Sequence, residues 1–141
     1  MRMRTLAVAV AALTAGAIGF APAAAADTVT TTPPLPWSLG LQTASGSGAS
    51  HWTTVTRSDG YTLSRELTVD GTLTNTGSGC YRVEVAEFVF GFPSAVHDAG
   101  KICGAGTIPV HYQGTAYNAG LYLCAVHPKG GCTAMAGPAR F

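Results

Sequence analysis

Charged residues are scarce in this chain. Lysine, arginine, aspartate and glutamate make up 11% of the 141 residues, whereas an average soluble domain has about a quarter. A formal net charge of +1 leaves no excess of basic residues to hold nucleic-acid phosphates. Hydrophobic residues reach 47%, and this balance excludes an intrinsically disordered chain. The length is sufficient for a single domain.

Motifs for catalysis and for metal binding are also missing. The chain has no G-x-S-x-G nucleophile elbow, and no two cysteines have the close spacing of a zinc site. The few acidic residues include Asp59 and Asp70, which precede glycines and indicate turns. Glu66, Glu84 and Glu87 fall on strand faces that we expect to be solvated. We therefore predict that the protein is not an enzyme and needs no metal or cofactor.

The first 26 residues have the pattern of a secretory signal peptide. Two arginines precede an uncharged apolar run over residues 6–20, and small residues follow up to Ala26. A membrane span is the alternative, but this run is shorter than the roughly 20 residues that a bilayer requires. We predict cleavage before Asp27, or alternatively after Ala23, release outside the cell and no stable membrane insertion afterwards. The remaining 115 residues would carry a net charge of −1.

Four cysteines remain after this cleavage, and an even number in a small exported chain predicts disulfides. Cys124 and Cys132 flank residues 127–131 (HPKGG), a strong turn signal that would bring the two thiols together. We therefore favour Cys124–Cys132, which leaves Cys80 with Cys103. The other two pairings of four cysteines stay open at this point.

Residues 27–50 are interpreted as an extended N-terminal arm. Its first part is rich in threonine and proline, and residues 44–50 (ASGSGAS) predict a mobile, exposed loop. Residues 51–141 are interpreted as the folded domain. Period-two alternation over residues 61–76 and 80–90 indicates two long strands, which we expect to form the main hairpin, with a bulge or turn at Asp70 and Gly71.

The rest of the domain continues in short strands separated by turn signals. Residues 91–100 predict a long connecting loop, and Pro109 places the segment 107–113 at a sheet edge because proline lacks an amide donor. The tail from Cys132 is expected to return along the preceding strand. We predict an all-β fold of six to eight strands, arranged as a two-layer antiparallel sandwich joined by two disulfides. A small β-barrel is the alternative.

Aromatic side chains are the one binding feature of the sequence. Rings of this kind stack on sugars or anchor a partner, although they also commonly fill a core. The candidate binding residues are Trp37, Trp52, Tyr61, Tyr112 and Tyr117. The corresponding partners are a cell-wall glycan, a surface protein or a small ligand.

Three segments carry a resemblance to known proteins: residues 71–83 (GTLTNTGSGCYRV), 103–107 (CGAGT) and 121–124 (LYLC). They are similar to small secreted proteins of actinobacteria, and the resemblance implies a disulfide-bonded β-sandwich outside the cell, with no activity attached. The subtilisin-inhibitor family and the chromoprotein apoproteins share the size and the two disulfides but differ in cysteine spacing.

The leading functional hypothesis is a non-catalytic extracellular or cell-surface binding module. A secreted protease inhibitor is the first alternative, with residues 92–100 and 127–131 as candidate inhibitory loops. A small extracellular hydrolase is the second, and it would need His97 or His111 beside a carboxylate and a serine.

Overall fold

The computed structural model describes residues 25–141, and this part of the chain is built from nine β-strands. The strands are β1 (Thr28–Thr31), β2 (Leu35–Leu41), β3 (Ala44–Thr56), β4 (Thr62–Asn75), β5 (Cys80–Val89), β6 (Phe92–Cys103), β7 (Gly106–Thr115), β8 (Ala119–Val126) and β9 (Cys132–Arg140). The predicted signal peptide falls almost wholly outside the described residues. Among residues 25–141, no helix has the length and apolar character needed to cross a membrane.

The strands form two antiparallel sheets. The five-stranded sheet has the order β1-β3-β4-β7, with β2 also paired to β3, and the four-stranded sheet has the order β6-β5-β8-β9. The predicted all-β sandwich is confirmed, and the described strands do not close into the barrel that was the alternative. All the pairings are antiparallel, and four of them (β2–β3, β3–β4, β5–β6 and β8–β9) join consecutive strands through short turns.

The core lies between the two sheets and follows the period-two patterns of the central strands. Its largest fully buried side chains come mainly from β4, β5 and β8, with Val110 added by β7; the others are Leu67, Val69, Leu73, Val83, Val85, Leu121 and Leu123. Each such side chain contributes roughly 1.5–3 kcal/mol on burial, so these alternating positions are the main source of stability.

Prolines define the edges of the five-stranded sheet. Strands β1 and β2 pair with opposite ends of β3, and Pro33 and Pro34 lie between them. Because proline cannot donate to the ladder, the edge strand is interrupted there. Pro109 lies on β7, which pairs with β4 alone among the nine described strands, so the predicted edge position is confirmed.

The structure has nine strands where six to eight were predicted, and two of the expected loops are parts of strands. Residues 44–50 form the first half of β3, so the predicted boundary between arm and domain falls inside one strand. Gly48 is needed there because a Cβ at this position would lie 2.0 Å from the carbonyl oxygen of Asp70. Residues 92–100 belong to β6, which pairs with β5 after a two-residue turn at Phe90 and Gly91.

The expected hairpin between residues 61–76 and 80–90 is wrong, since β4 and β5 belong to different sheets. The predicted bulge at Asp70 and Gly71 is also wrong, because β4 pairs without a shift there. The connection is organised by Asn75, which is buried and donates to the carbonyl oxygens of Gly77, Gly79 and Gly104. These bonds hold the chain where it crosses between the sheets.

Both favoured disulfides are confirmed. Cys80–Cys103 joins the start of β5 to the end of β6, and Cys124–Cys132 joins β8 to β9 across the turn at residues 127–131. No cysteine is free. Each bridge therefore closes a hairpin within the four-stranded sheet.

Candidate functional site

The five aromatic residues proposed for binding do not come together at the surface. Trp37, Trp52 and Tyr112 are buried between the sheets, with Trp52 only 2% exposed, so they are core residues. Tyr61 and Tyr117 are exposed. Residues 44–50, which lie between the two tryptophans and were expected to form an exposed loop, are part of β3, and both tryptophan rings are buried in the core.

A groove lies instead on the outer face of the four-stranded sheet. Along β5, Val83 and Val85 point into the core. The residues of the alternate positions, Glu84, Ala86 and Phe88, therefore line the opposite face. The same alternation on β8 places Tyr122 outward, directly opposite Glu84 in the β5–β8 ladder. The outer face of this sheet thus carries aromatic and aliphatic side chains where a solvated face would be expected.

Two adjoining cavities, each of about 240 Å³, make up the groove. Phe88 and Tyr122 line both cavities, so the two spaces share one aromatic wall. The first cavity is also lined by Gly91, Asn118, Ala119, Gly120, Pro138 and Arg140. The second is also lined by Glu84, Ala86, Pro93, Val96 and Met135. A flat apolar molecule lying across Phe88 and Tyr122 would extend into both cavities.

Small residues and a tight turn keep this groove open. A Cβ at Gly120 would lie 3.1 Å from Pro138 and 3.5 Å from Phe88, so a side chain there would narrow the floor. At the rim, Phe90 and Gly91 form the β5–β6 turn with φ values of 51° and 86°. The Phe90 side chain is 97% exposed beside the first cavity.

A buried charge forms the far wall of the second cavity. Glu84 is only 5% exposed, which corrects the expectation that it lies on a solvated face. It is covered because its outer-face neighbours include Tyr122 and the Cys124–Cys132 bridge. Arg82 compensates it, with Nη2 2.5 Å from Glu84 Oε1. The Nε atom of the same guanidinium lies 3.5 Å from Asp98 Oδ1.

The Cys124–Cys132 bridge packs against this carboxylate. Cys132 Sγ lies 3.7 Å from both Glu84 oxygens, and the three side chains converge closely. Cysteine binds metals as a thiolate, and both sulfurs are consumed by the disulfide. The cluster is therefore a carboxylate beside a disulfide, with no sulfur ligand to offer a metal.

A second polar cluster connects the two sheets near the groove. Glu87 Oε1 accepts a hydrogen bond from the Tyr112 hydroxyl at 3.0 Å and lies 2.9 Å from His97 Nε2. Burial, and then the hydrogen bond and negative charge of Glu87, raise the pKa of Tyr112 to about 12. Ser94 is nearby, but its hydroxyl donates to the backbone carbonyl of Glu87.

The other histidine named for a hydrolase, His111, lies 2.7 Å from Asp70 on the exposed outer face of the five-stranded sheet. The structure thus brings each histidine to a carboxylate, as that alternative requires. Near His97, the Ser94 hydroxyl donates to the backbone carbonyl of Glu87, so it does not form a nucleophile–base pair with this histidine.

Sequence reasoning missed the groove residues although a signal was present. Residues 80–90 become apolar on both faces towards their end, which is typical of a central strand buried on both sides. Within residues 25–141, no further layer covers the outer face, so Phe88 and Tyr122 line an open groove instead. No protein-family model, curated protein or solved structure matches this chain.

Proposed function

We propose that this chain is an exported, non-catalytic β-sandwich protein that binds a small apolar ligand in the outer-face groove. The observation that carries the proposal is the shared wall of Phe88 and Tyr122 between two adjoining cavities. Ligand sites are typically concave and largely apolar, with a few polar groups that orient the ligand. Arg140 and Asn118 in one cavity and Glu84 in the other supply those groups.

The scaffold supports a preformed site. Strands β5 and β8, which carry Phe88 and Tyr122, are paired with each other and have fully buried core side chains on their inner faces. The Cys124–Cys132 bridge further restrains β8 and β9. A rigid site loses little conformational entropy when a ligand binds, so even a small apolar contact area can give measurable affinity.

Export is part of the proposal. The signal-like residues 1–26 and the two disulfides support it, since such bridges persist mainly in oxidising compartments. N-terminal sequencing of protein recovered from the medium of an exporting host should find Asp27 as the first residue. Intact protein beginning at Met1 in that medium would contradict the proposed cleavage.

A nuclear magnetic resonance titration tests the groove. With the protein labelled with nitrogen-15, phenethyl alcohol is an apolar probe of suitable size. We expect its addition to shift the amide signals of residues 118–122 and of Glu84, Ala86 and Phe88, the β5 residues that line the groove. Shifts confined to the region around Tyr61 and Tyr117, or no saturable shift at millimolar probe, would overturn the groove as the site.

Two tyrosine variants make a matched pair for this titration. Tyr122→Ala removes the shared wall and should weaken probe binding about tenfold, because an apolar ring contact of this size is worth ~1–2 kcal/mol. Tyr117→Ala removes an exposed ring outside the groove and should leave the affinity unchanged. Equal effects of the two substitutions would contradict the assignment.

A protease inhibitor remains the second candidate, supported by the turn at residues 127–131. The turn is exposed, bracketed by Cys124–Cys132 and held by a hydrogen bond from His127 N to Gly131 O. Lys129 lies near its centre and would suit a trypsin-like protease. Inhibition that is lost in Lys129→Ala would support this function, whereas no inhibition at micromolar protein would remove it. The other proposed loop, residues 92–100, is a strand.

A further inference from the structure

Glu84, which is 5% exposed, has one carboxylate oxygen that receives no hydrogen bond from an N–H or O–H group of residues 25–141. Arg82 Nη2 lies 2.5 Å from Oε1, and Cys132 Sγ lies 3.7 Å from Oε2. A disulfide sulfur carries no hydrogen, so this contact is not a hydrogen bond. Within residues 25–141, no N–H or O–H group donates a hydrogen bond to Oε2. The carboxylate is nevertheless 5% exposed and lines the second cavity.

Such a group is unfavourable as it stands, and a ligand can relieve it. An acceptor left unsatisfied in a buried carboxylate is unfavourable, and more so because it is charged. A ligand that brings an N–H donor into the cavity would supply the missing bond. A protonated amine supplies it best, since hydrogen bonds between ionised partners are roughly twice as strong as neutral ones.

The charges around Glu84 also favour a cation. Its partner Arg82 is shared with Asp98, so one guanidinium faces two carboxylates. Lys101 lies opposite Arg82 in the β5–β6 ladder, but it is exposed and does not line the cavity. At the cavity wall itself, the negative charge is therefore only partly compensated.

The apolar walls suit the rest of such a ligand. Tyr122 stands directly opposite Glu84 on β8, and its ring can contact both the ammonium group and an attached hydrocarbon. Val96 and Met135 line the same cavity, and Phe88 continues the wall into the first one. A positively charged head at Glu84 would thus place its apolar body along the groove.

We propose that the groove selects apolar ligands bearing a protonated amine, with Glu84 Oε2 accepting the ammonium hydrogen bond; this inference rests on the groove being the binding site. It assigns the ligand class: an organic ammonium ion with an aromatic or aliphatic body. Apolar carboxylates are disfavoured in the second cavity because they would meet the Glu84 charge there.

Three probes with the same phenyl–ethyl skeleton test this selectivity: phenethylammonium, phenethyl alcohol and hydrocinnamate. Titrations of the whole protein at neutral pH, followed by the groove amide signals, should give about tenfold tighter binding of phenethylammonium than of phenethyl alcohol. Hydrocinnamate should bind more weakly than the alcohol at the second cavity. The preference should fall as salt is added, because it is electrostatic.

Glu84→Gln keeps the shape of the side chain and removes its charge, so the preference for the ammonium probe should disappear. Because this change leaves Arg82 without its buried partner, a second variant guards against misfolding. Asp98→Asn, at an exposed position, frees Arg82 to compensate Glu84 more fully and should reduce the preference about two- to threefold. Glu66→Gln, on the other sheet, is the control and should change nothing.

The outcomes separate the two proposals. If the alcohol and the ammonium probes bind the groove equally, the amine inference fails and the groove remains a binding site. A preference that survives in Glu84→Gln also overturns the inference. If none of the probes shifts the groove signals, both the inference and the proposed function fail.

Discussion

The Trp37 ring lies directly against Gly71. Its indole Nε1 donates to the carbonyl oxygen of Asp70 at 3.2 Å, and a Cβ at Gly71 would lie 2.5 Å from Trp37 Cζ2. The same Cβ would be 2.3 Å from the carbonyl oxygen of Ser47 on the neighbouring strand. Because the tryptophan ring and the β3 backbone leave no room for a Cβ, a glycine is required at this position in the middle of β4.

Gly71→Ala should therefore destabilise the protein by about 1–3 kcal/mol, because an added methyl group overpacks a filled site. Gly40→Ala on β2 is the matched control, since a Cβ there meets nothing within 4 Å. Urea unfolding of the three proteins, followed by tryptophan fluorescence, provides the comparison. Equal midpoints for Gly71→Ala and Gly40→Ala would contradict the packing described.

Asn75→Ala should cost about 2–5 kcal/mol, because it removes a buried amide that joins three loops. Besides its three donated bonds, the Asn75 Oδ1 atom accepts from Thr43 Oγ1 and Gly77 N. Asn75→Asp should be at least as harmful, since a carboxylate would face the carbonyl oxygens. The exposed hydrogen bond from Gln113 to Glu66 gives the control, and Gln113→Ala should change the unfolding free energy by less than about 0.5 kcal/mol.

Phe90→Asn should stabilise the protein by about 1 kcal/mol. Phe90 has a φ of 51°, in the left-handed region that bulky residues disfavour, whereas Asn-Gly is the preferred pair for a two-residue hairpin turn. Its side chain is fully exposed, so the substitution removes no core contact. Phe92→Asn, in the adjoining strand, should give no such gain. Thermal unfolding measures the melting temperatures of both variants and of the wild type. A melting temperature of Phe90→Asn below that of the wild type would contradict this explanation of the turn.

Tyr112 should make stability fall at high pH. Its pKa is raised to about 12 from the ordinary 10.0, so the neutral hydroxyl is favoured in the folded protein. The resulting stabilisation is complete below pH ~10 and is lost as the pH rises towards ~12. Between these values the unfolding free energy of Tyr112→Phe should decline less steeply than that of the wild type. Tyr117→Phe, at an exposed ring, should retain the wild-type slope; a wild-type slope in Tyr112→Phe would contradict the assignment.

Replacing Cys80 and Cys103 together by alanine should lower stability by about 3 kcal/mol, the loop-closure entropy expected for their 23-residue separation. The shorter Cys124–Cys132 loop should contribute about 2.5 kcal/mol on the same basis. Denaturant unfolding of each double variant measures these losses. An unchanged midpoint in either would mean that the bridge adds nothing to stability in solution.

The predictions that succeeded depend on local chemistry. A turn of proline and glycines between Cys124 and Cys132 brings two thiols together whatever the rest of the chain does. Pro109 lacks an amide hydrogen in any environment, so its strand had to lie at an edge. Both features are carried by single residues or by short segments.

The predictions that failed required knowledge of what packs against a segment. Residues 44–50 have the glycine and serine composition of a loop, yet they form part of β3. Glycine is required at positions 46 and 48 of this strand because Trp37 and the backbone of β4 lie too close for a larger residue. Glu84 has the alternation of a solvated position and is buried by residues distant in sequence. Residues 92–100 pair with β5 because the turn at Phe90 and Gly91 is so tight.

The amino-acid sequence by itself determined the all-β character, the two disulfides and the edge position of β7, since alternation, turn residues and proline act over a few neighbours. Only the tertiary structure decided which strands share a sheet, which aromatic rings are buried and where the groove lies. Those properties arise when β5, β8 and β9 are brought side by side, because Phe88, Tyr122 and Glu84 acquire a common surface only across the ladder.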